Sequence, residues 1–204
     1  MPIESVAGEG VPPSARPLVS NPPALPAAQL PVSQFAAAVA ALPLVSLDWV
    51  ITNPDGQLLL GQRLNAPARG WWFTPGGRIR KNEPLDDALR RVATDELVMA
   101  PSLAAQLPGR ARLMGAWDHF YPDSAFSPSV STHYVNLPHW LALSWEEIAL
   151  LRLPQGEQHS KWQWLALVDA IQATDVHAYV RPYAAWVLGQ GSFKGSKKTV
   201  QSPS

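Results

Sequence analysis

The sequence predicts an α+β fold, with a mixed β-sheet held between helices. Three observations carry this. Apolar runs of strand length occur in clusters, the clearest being two that flank Asn53-Pro54-Asp55-Gly56, a strong hairpin signal. A segment at 84–98 repeats its apolar residues at helical spacing. Strands and helices do not alternate regularly, so a doubly wound parallel sheet is not expected.

The elements follow in order. Residues 1–31 are rich in Pro, Gly, Ser and Ala, a composition that cannot pack a core and reads as a disordered arm. VSQFAAAVAAL (32–42) predicts a short helix with Ser33 as N-cap. PLVSLDWVITNPDGQLLLGQR predicts the hairpin, and GWWFTPGGR a third strand ending in a Gly-Gly turn. Helix 84–98 has Pro84 at its start and acids in its first turn. ARLMGAWDHFY (111–121) and STHYVNLPHWLAL (131–143) predict a strand pair. SWEEIALLRL opens with a capping box, Ser144 to Glu147. PQGEQHSK reads as a polar loop, WQWLAL as a strand, and 174–188 as a final helix bent at Pro182. Residues 32–188 therefore form the predicted domain, with 189–204 as a flexible tail.

Composition narrows the function. The 204 residues carry sixteen basic and sixteen acidic side chains, so no basic bias favours nucleic acid. A local arginine cluster for a small anion remains compatible. With no cysteine, thiolate catalysis and Cys-based zinc sites are excluded. No apolar run reaches membrane-spanning length and the N-terminus lacks a signal pattern, so a cytoplasmic location without a membrane partner is expected.

One carboxylate stands out. Leu85, Leu89 and Val92 form the apolar stripe of helix 84–98, and Glu96 falls within about 40° of each. A fraying helix end or an ion pair with arginine would account for it. So would a bound cation, because a buried carboxylate costs several kcal/mol unless paired or coordinated and hard cations prefer oxygen. The surrounding spacing, Gly77-x5-Glu83-x7-Arg91 followed by Asp95-Glu96, resembles the Nudix box. Val92 stands where typical members carry a metal-binding glutamate, and Val98 where they carry glycine.

Together with PLVSLDWV, the hairpin ending in GQR, PARGWWFTPGGR and the loop EQH, these departures resemble the GDP-mannose mannosyl hydrolase subfamily, from about Val32 to Leu188. The resemblance implies a Nudix fold and one Mg²⁺ (Mn²⁺ substituting), bound by the Gly76 carbonyl, Glu96 and Gln158. It implies His159 as general base, Arg63 and Arg78 on the diphosphate, Tyr121 assisting the leaving group, and Asp48 near the reacting sugar carbon. Glu83 and Arg91 are expected to tie loop to helix, with Arg91 also a candidate for substrate. Asp95 is a second possible ligand or a partner of Arg91. His119 and His133 are candidates for substrate hydrogen bonds; His139 and His177 read as structural or exposed. Trp71, Trp72 and Trp117 read as core, or as lining for a base.

The implied activity is hydrolysis of a GDP-hexose, GDP-mannose or GDP-glucose, to GDP and free sugar, by attack at the anomeric carbon with inversion. The alternatives are a Nudix pyrophosphohydrolase cleaving a P–O bond, or a nucleotide-sugar-binding module without catalysis. The resemblance also implies a homodimer in which segment 32–42 completes the partner's site.

Overall fold

The computed structural model describes residues 30–191; most of the proline-rich arm and nearly all of the tail lie outside the described residues. The fold centres on strand β1 (Leu44–Thr52). The Asn53–Gly56 turn returns the chain as β2 (Gln57–Arg63), antiparallel to it. Asn53 secures the turn, its Oδ1 accepting from the Gln57 amide at 2.9 Å, and Gly56 takes the left-handed conformation there, φ +73°. On its other edge β1 runs parallel to β7 (Thr132–Ala142), in register from Leu44 opposite Tyr134 to Thr52 opposite Ala142.

The expected third strand is two short ones. β3 (Trp72–Phe73) pairs with β2, and β4 (Gly76–Arg78) crosses to pair with β1, Gly76 lying opposite Asp48. Thr74 and Pro75 make the step between them. The strand expected at 111–121 is also broken, into β5 (Arg112–Leu113) and β6 (Trp117–Tyr121), by Gly115 at φ +140°. β8 (His159–Ala166) pairs antiparallel with β2 and completes a mixed sheet.

Helices cover both faces. On one, α2 (Leu85–Leu97) buries Leu89, Val92 and Ala93 against Leu47, Trp49 and Ile51 of β1, with α3 (Pro101–Ala104), α4 (Leu107–Arg110) and α5 (Trp145–Ile148) around it. α5 carries the expected capping box but lasts four residues. On the other face, α6 (Leu167–Gln172) and α7 (Val180–Gly189) pack on Val50, Leu58 and Leu60. The final helix expected at 174–188 is shorter, α7 starting only at Val180, so that Pro182 has no preceding helical turn to bend. Val176 instead bridges to Trp72, and Pro182 falls in the first turn of α7, where a missing N–H costs nothing. The N-terminal helix α1 (Val32–Ala41) starts after Pro31, so Ser33 lies inside it and is not its cap. No helix among the described residues is long and apolar enough to cross a membrane.

α2 ends on Val98, held left-handed at φ +44°, ψ +46°. A β-branched residue there is strained by about 1–2 kcal/mol, which glycine avoids. Val98 is 45% exposed, so its side chain contributes little burial. Val98→Gly is therefore expected to stabilise the protein by about 1 kcal/mol, raising Tm by about 2–4 °C in thermal unfolding; an unchanged or lower Tm would contradict the strain.

Candidate active site

The face of β1 that carries Val50 into the second core carries Ser46 and Asp48 out of it. There the sheet opens into a cleft of about 460 Å³, within the range that holds small ligands. Asp48, Arg63, Gly76, Arg78, Tyr121 and Gln158 all line it, so six of the expected site residues converge.

Glu96 is 7% exposed, on the inner side of α2. Gln158 donates its amide to Glu96 Oε1 at 2.7 Å and covers it from the cleft. His159 Nδ1 lies 3.8 Å from the other carboxylate oxygen. Burial, with Asp95 nearby, pushes the Glu96 carboxyl up to about 7, against the charges of Arg63 and Arg91. Burial and Arg63 push His159 down to about 4, so it is neutral at physiological pH and supplies no counter-charge. A buried acid so placed suits a cation. The donors at hand are oxygens: Glu96, the Gly76 carbonyl, and the Gln158 amide once turned half round. Val92 is core, its Cγ2 standing 3.3 Å from where a Cβ on Gly77 would lie. Among the described residues no three His, Cys, Asp or Glu side chains cluster for a metal. This carboxylate-poor set fits a hard ion that keeps water and takes phosphate oxygens as further ligands.

Arg63 stands where β2 loses register with β8, an irregularity that turns its side chain toward the cleft. Its Nε donates to the Pro67 carbonyl at 2.9 Å. Its charge lowers the pKa of both Asp48 and Glu96, so it serves both acids. Arg78 lies 3.6 Å above the Phe35 ring of α1, a cation–π contact that fixes one guanidinium face. Tyr121 is 8% exposed, and burial raises its hydroxyl well above the ordinary range, so it stays a protonated donor.

Asp48 heads a buried polar chain. Its Oδ2 accepts from Asn136 at 2.8 Å and from the Tyr183 hydroxyl at 3.0 Å. Tyr183 also meets His119 Nε2 at 2.9 Å, and Asn136 Oδ1 accepts from Ser46 at 2.8 Å. The other carboxylate oxygen lies over Gly76, 2.2 Å from where a Cβ would stand, so glycine is required there. Burial pushes the Asp48 carboxyl up to about 7, while Tyr183, Asn136 and Arg63 pull it down. Asn136, a polar residue inside an apolar strand, carries the same sequence signal as Asp48; Tyr183 carries none.

Three expected residues are absent from the cleft wall: Glu96, which hydrogen-bonds to Gln158, and His159 and Arg91. His159 is not in a free polar loop: it is the first residue of β8, 2% exposed, packed on Gly61 and absent from the cleft wall. Arg91 does not reach the cleft. It holds Glu83 at 2.8 Å, the Arg78 carbonyl at 2.8 Å and Asp95 at 3.7 Å, clamping the Gly-Gly turn to α2. Of the histidines, His119 lines the cleft and stacks on Tyr179, centroids 4.0 Å apart. His133 pairs outside it with Asp118, while His139 is buried and accepts no cleft role. Trp72 is core, and Trp71 is exposed.

Two variants test the metal end. Glu96→Gln, nearly isosteric, is expected to abolish most Mg²⁺ binding in calorimetry with an unchanged circular dichroism spectrum; wild-type affinity would disprove the assignment. A Cβ on Gly61 would come within 2.4 Å of the His159 ring. Gly61→Ala must therefore displace the ring against Glu96, costing about 1–3 kcal/mol of stability by urea unfolding and weakening Mg²⁺ binding too.

Comparison with known proteins agrees with this architecture. The family model described as the NUDIX domain matches residues 43–187. The chain is 44% identical over 110 residues to the low-salt glycan biosynthesis protein Agl8 of Haloferax volcanii. That match spans 54% of this chain and 65% of the relative, just under two thirds of its length. A MutT Nudix hydrolase from Burkholderia pseudomallei superposes with TM-score 0.53 at 26% identity, covering 71% of this chain and 98% of that one. A bifunctional NMN adenylyltransferase/ADP ribose pyrophosphatase from Francisella tularensis, solved with AMP and a manganese ion, superposes with TM-score 0.55 at 18% identity, over 78% of this chain and 45% of its own. With its box folded as β4, turn and α2 around Glu96, this chain belongs to the Nudix family.

Proposed function

We propose that this protein hydrolyses a nucleotide hexose, GDP-mannose or GDP-glucose, with one divalent cation, releasing GDP and free sugar by attack at the anomeric carbon. The observation that carries the reading is the division of acids: one buried carboxylate, Glu96, at the metal end, and one isolated carboxylate, Asp48, on the cleft wall. The glycan-biosynthesis name of the relative that is 44% identical supports a sugar substrate.

Glu96, Gln158 and the Gly76 carbonyl would hold Mg²⁺ or Mn²⁺, which when bound supplies charge neutralisation for the departing diphosphate. Arg63 and Arg78 grip the diphosphate oxygens, and the Tyr121 hydroxyl donates to the oxygen that leaves carbon. The base role moves from His159 to Asp48. A base must reach the proton it takes; the Asp48 carboxylate lines the cleft, while the His159 ring is buried and packs on Gly61 beside Glu96. Asp48 takes a proton from water as the water oxygen bonds to the anomeric carbon. The C–O bond to the phosphate breaks and its electron pair leaves with GDP. Asn136 and Tyr183 hold the carboxylate in place. His159 keeps Gln158 and Glu96 in position.

Hydrolysis of an α-linked GDP-hexose in ¹⁸O-labelled water is expected to put the label in the sugar, released as the β anomer, with none in GDP. Label in a phosphate would select the pyrophosphohydrolase alternative; no turnover on any nucleotide sugar would select the binding module. Asp48→Asn should lower kcat by roughly 10²–10⁴, and His159→Gln by less. The reverse order would return the base to His159.

We also place the protein in the cytoplasm, as a homodimer. Val32, Leu42 and Val45, at the ends of α1 and the start of β1, are 70%, 61% and 45% exposed, apolar side chains that a second copy would cover. Light scattering is expected to report twice the chain mass; an active monomer would remove the dimer.

A further inference from the structure

Arg78 touches two different worlds in the cleft. Its guanidinium serves the diphosphate, and it rests on the Phe35 ring at 3.6 Å. Phe126 meets Phe35 edge to face, centroids 5.0 Å apart and planes at 80°. The two rings make a corner that lines the cleft, with Arg78 over the Phe35 ring. The corner is built, not incidental. The Ser124 hydroxyl accepts from the amides of Phe126 and Ser127 at 3.3 and 3.1 Å, a local turn that presents Phe126 while leaving it 39% exposed. An ordered, half-exposed aromatic inside a cleft is surface waiting for an apolar partner.

In a nucleotide sugar the base lies one ribose away from the diphosphate. The base subsite must therefore border a phosphate-holding arginine on the side away from the sugar. Arg63, by contrast, stands close enough to Asp48 and Glu96 to lower the pKa of both. A hexose needs hydrogen bonds for its hydroxyls, and the corner has few to give. Ser124 is used by its own loop, Thr132 Oγ1 donates to the Asp123 carbonyl at 2.8 Å, and Ser46 donates to Asn136. Tyr134, also on the cleft wall, stands near Arg78 and Arg63.

We propose that the Phe35–Phe126 corner is the nucleobase subsite, and that it holds a purine by stacking without reading its hydrogen-bonding edge. The proposal rests on the nucleotide-sugar reading above and adds to it that guanine is not strictly selected. Stacking tolerates any base with a π-face, and larger purine rings cover the corner better than pyrimidines.

Calorimetric titration of wild type, Phe126→Ala and Phe126→Trp with GDP, ADP, UDP and inorganic pyrophosphate tests it. Wild type is expected to bind GDP and ADP within about tenfold of each other and UDP more weakly. Phe126→Ala should weaken both purine nucleotides by about 5- to 150-fold, leave pyrophosphate unchanged, and be rescued by Phe126→Trp. GDP binding more than a hundredfold tighter than ADP, an unchanged Phe126→Ala, or a parallel loss of pyrophosphate would each overturn the subsite alone. Wild type that binds pyrophosphate but no nucleoside diphosphate would overturn the nucleotide-sugar reading as well.

Discussion

The molecule depends on β1 being paired along both edges. Its nine residues run parallel to β7 on one side, and β2 and β4 take the other. A strand so placed commits its backbone to the sheet on both sides, so its side-chain alternation is what it distributes. Leu47, Trp49 and Ile51 go to the α2 core and Val50 to the α7 core. Ser46 and Asp48 share the face of Val50 but lie nearer the strand start, where α7 offers the Tyr183 hydroxyl in place of an apolar side chain. That face therefore changes from core to cleft within one strand. A one-residue slip would send Asp48 into the α2 core and Leu47 into the cleft.

Electrostatics in the cleft follow from that placement. Asp48 and Glu96 both titrate near 7 because burial strips their hydration. They differ in their partners. Asp48 receives two directed hydrogen bonds, from Asn136 and Tyr183, and is fixed as an anion acceptor. Glu96 receives one from an amide that a cation could displace. Arg63 is positioned to influence both, which ties the hairpin end to the two acids at once. The clamp of Arg91 on Glu83 and on the Arg78 carbonyl ties the segment after the Gly-Gly turn to α2, the helix that carries Glu96.

Much of this was legible along the chain. Asn53-Pro54-Asp55-Gly56 carried its turn chemistry locally. The stripe of α2 predicted the inward Glu96, and the box spacing predicted the company of Gly77, Glu83 and Arg91. Elements whose limits depend on local propensity alone were less legible. Residues 174–179 have helical character, yet the bridge from Val176 to Trp72 holds them out of the helix. The Gly115 conformation broke a strand that composition left whole.

The sequence by itself determined the residue types at the site and the α+β class, because turn, cap and periodicity signals act over a few residues. Only the tertiary structure decided which side chains face the cleft. His159 and Gln158 are neighbours in the chain, yet strand alternation at the start of β8 turns one to the cleft and buries the other against Gly61. Asn136 and Tyr183 reach Asp48 across 88 and 135 positions. Contacts at that range are set by sheet register and helix packing, which no local signal encodes.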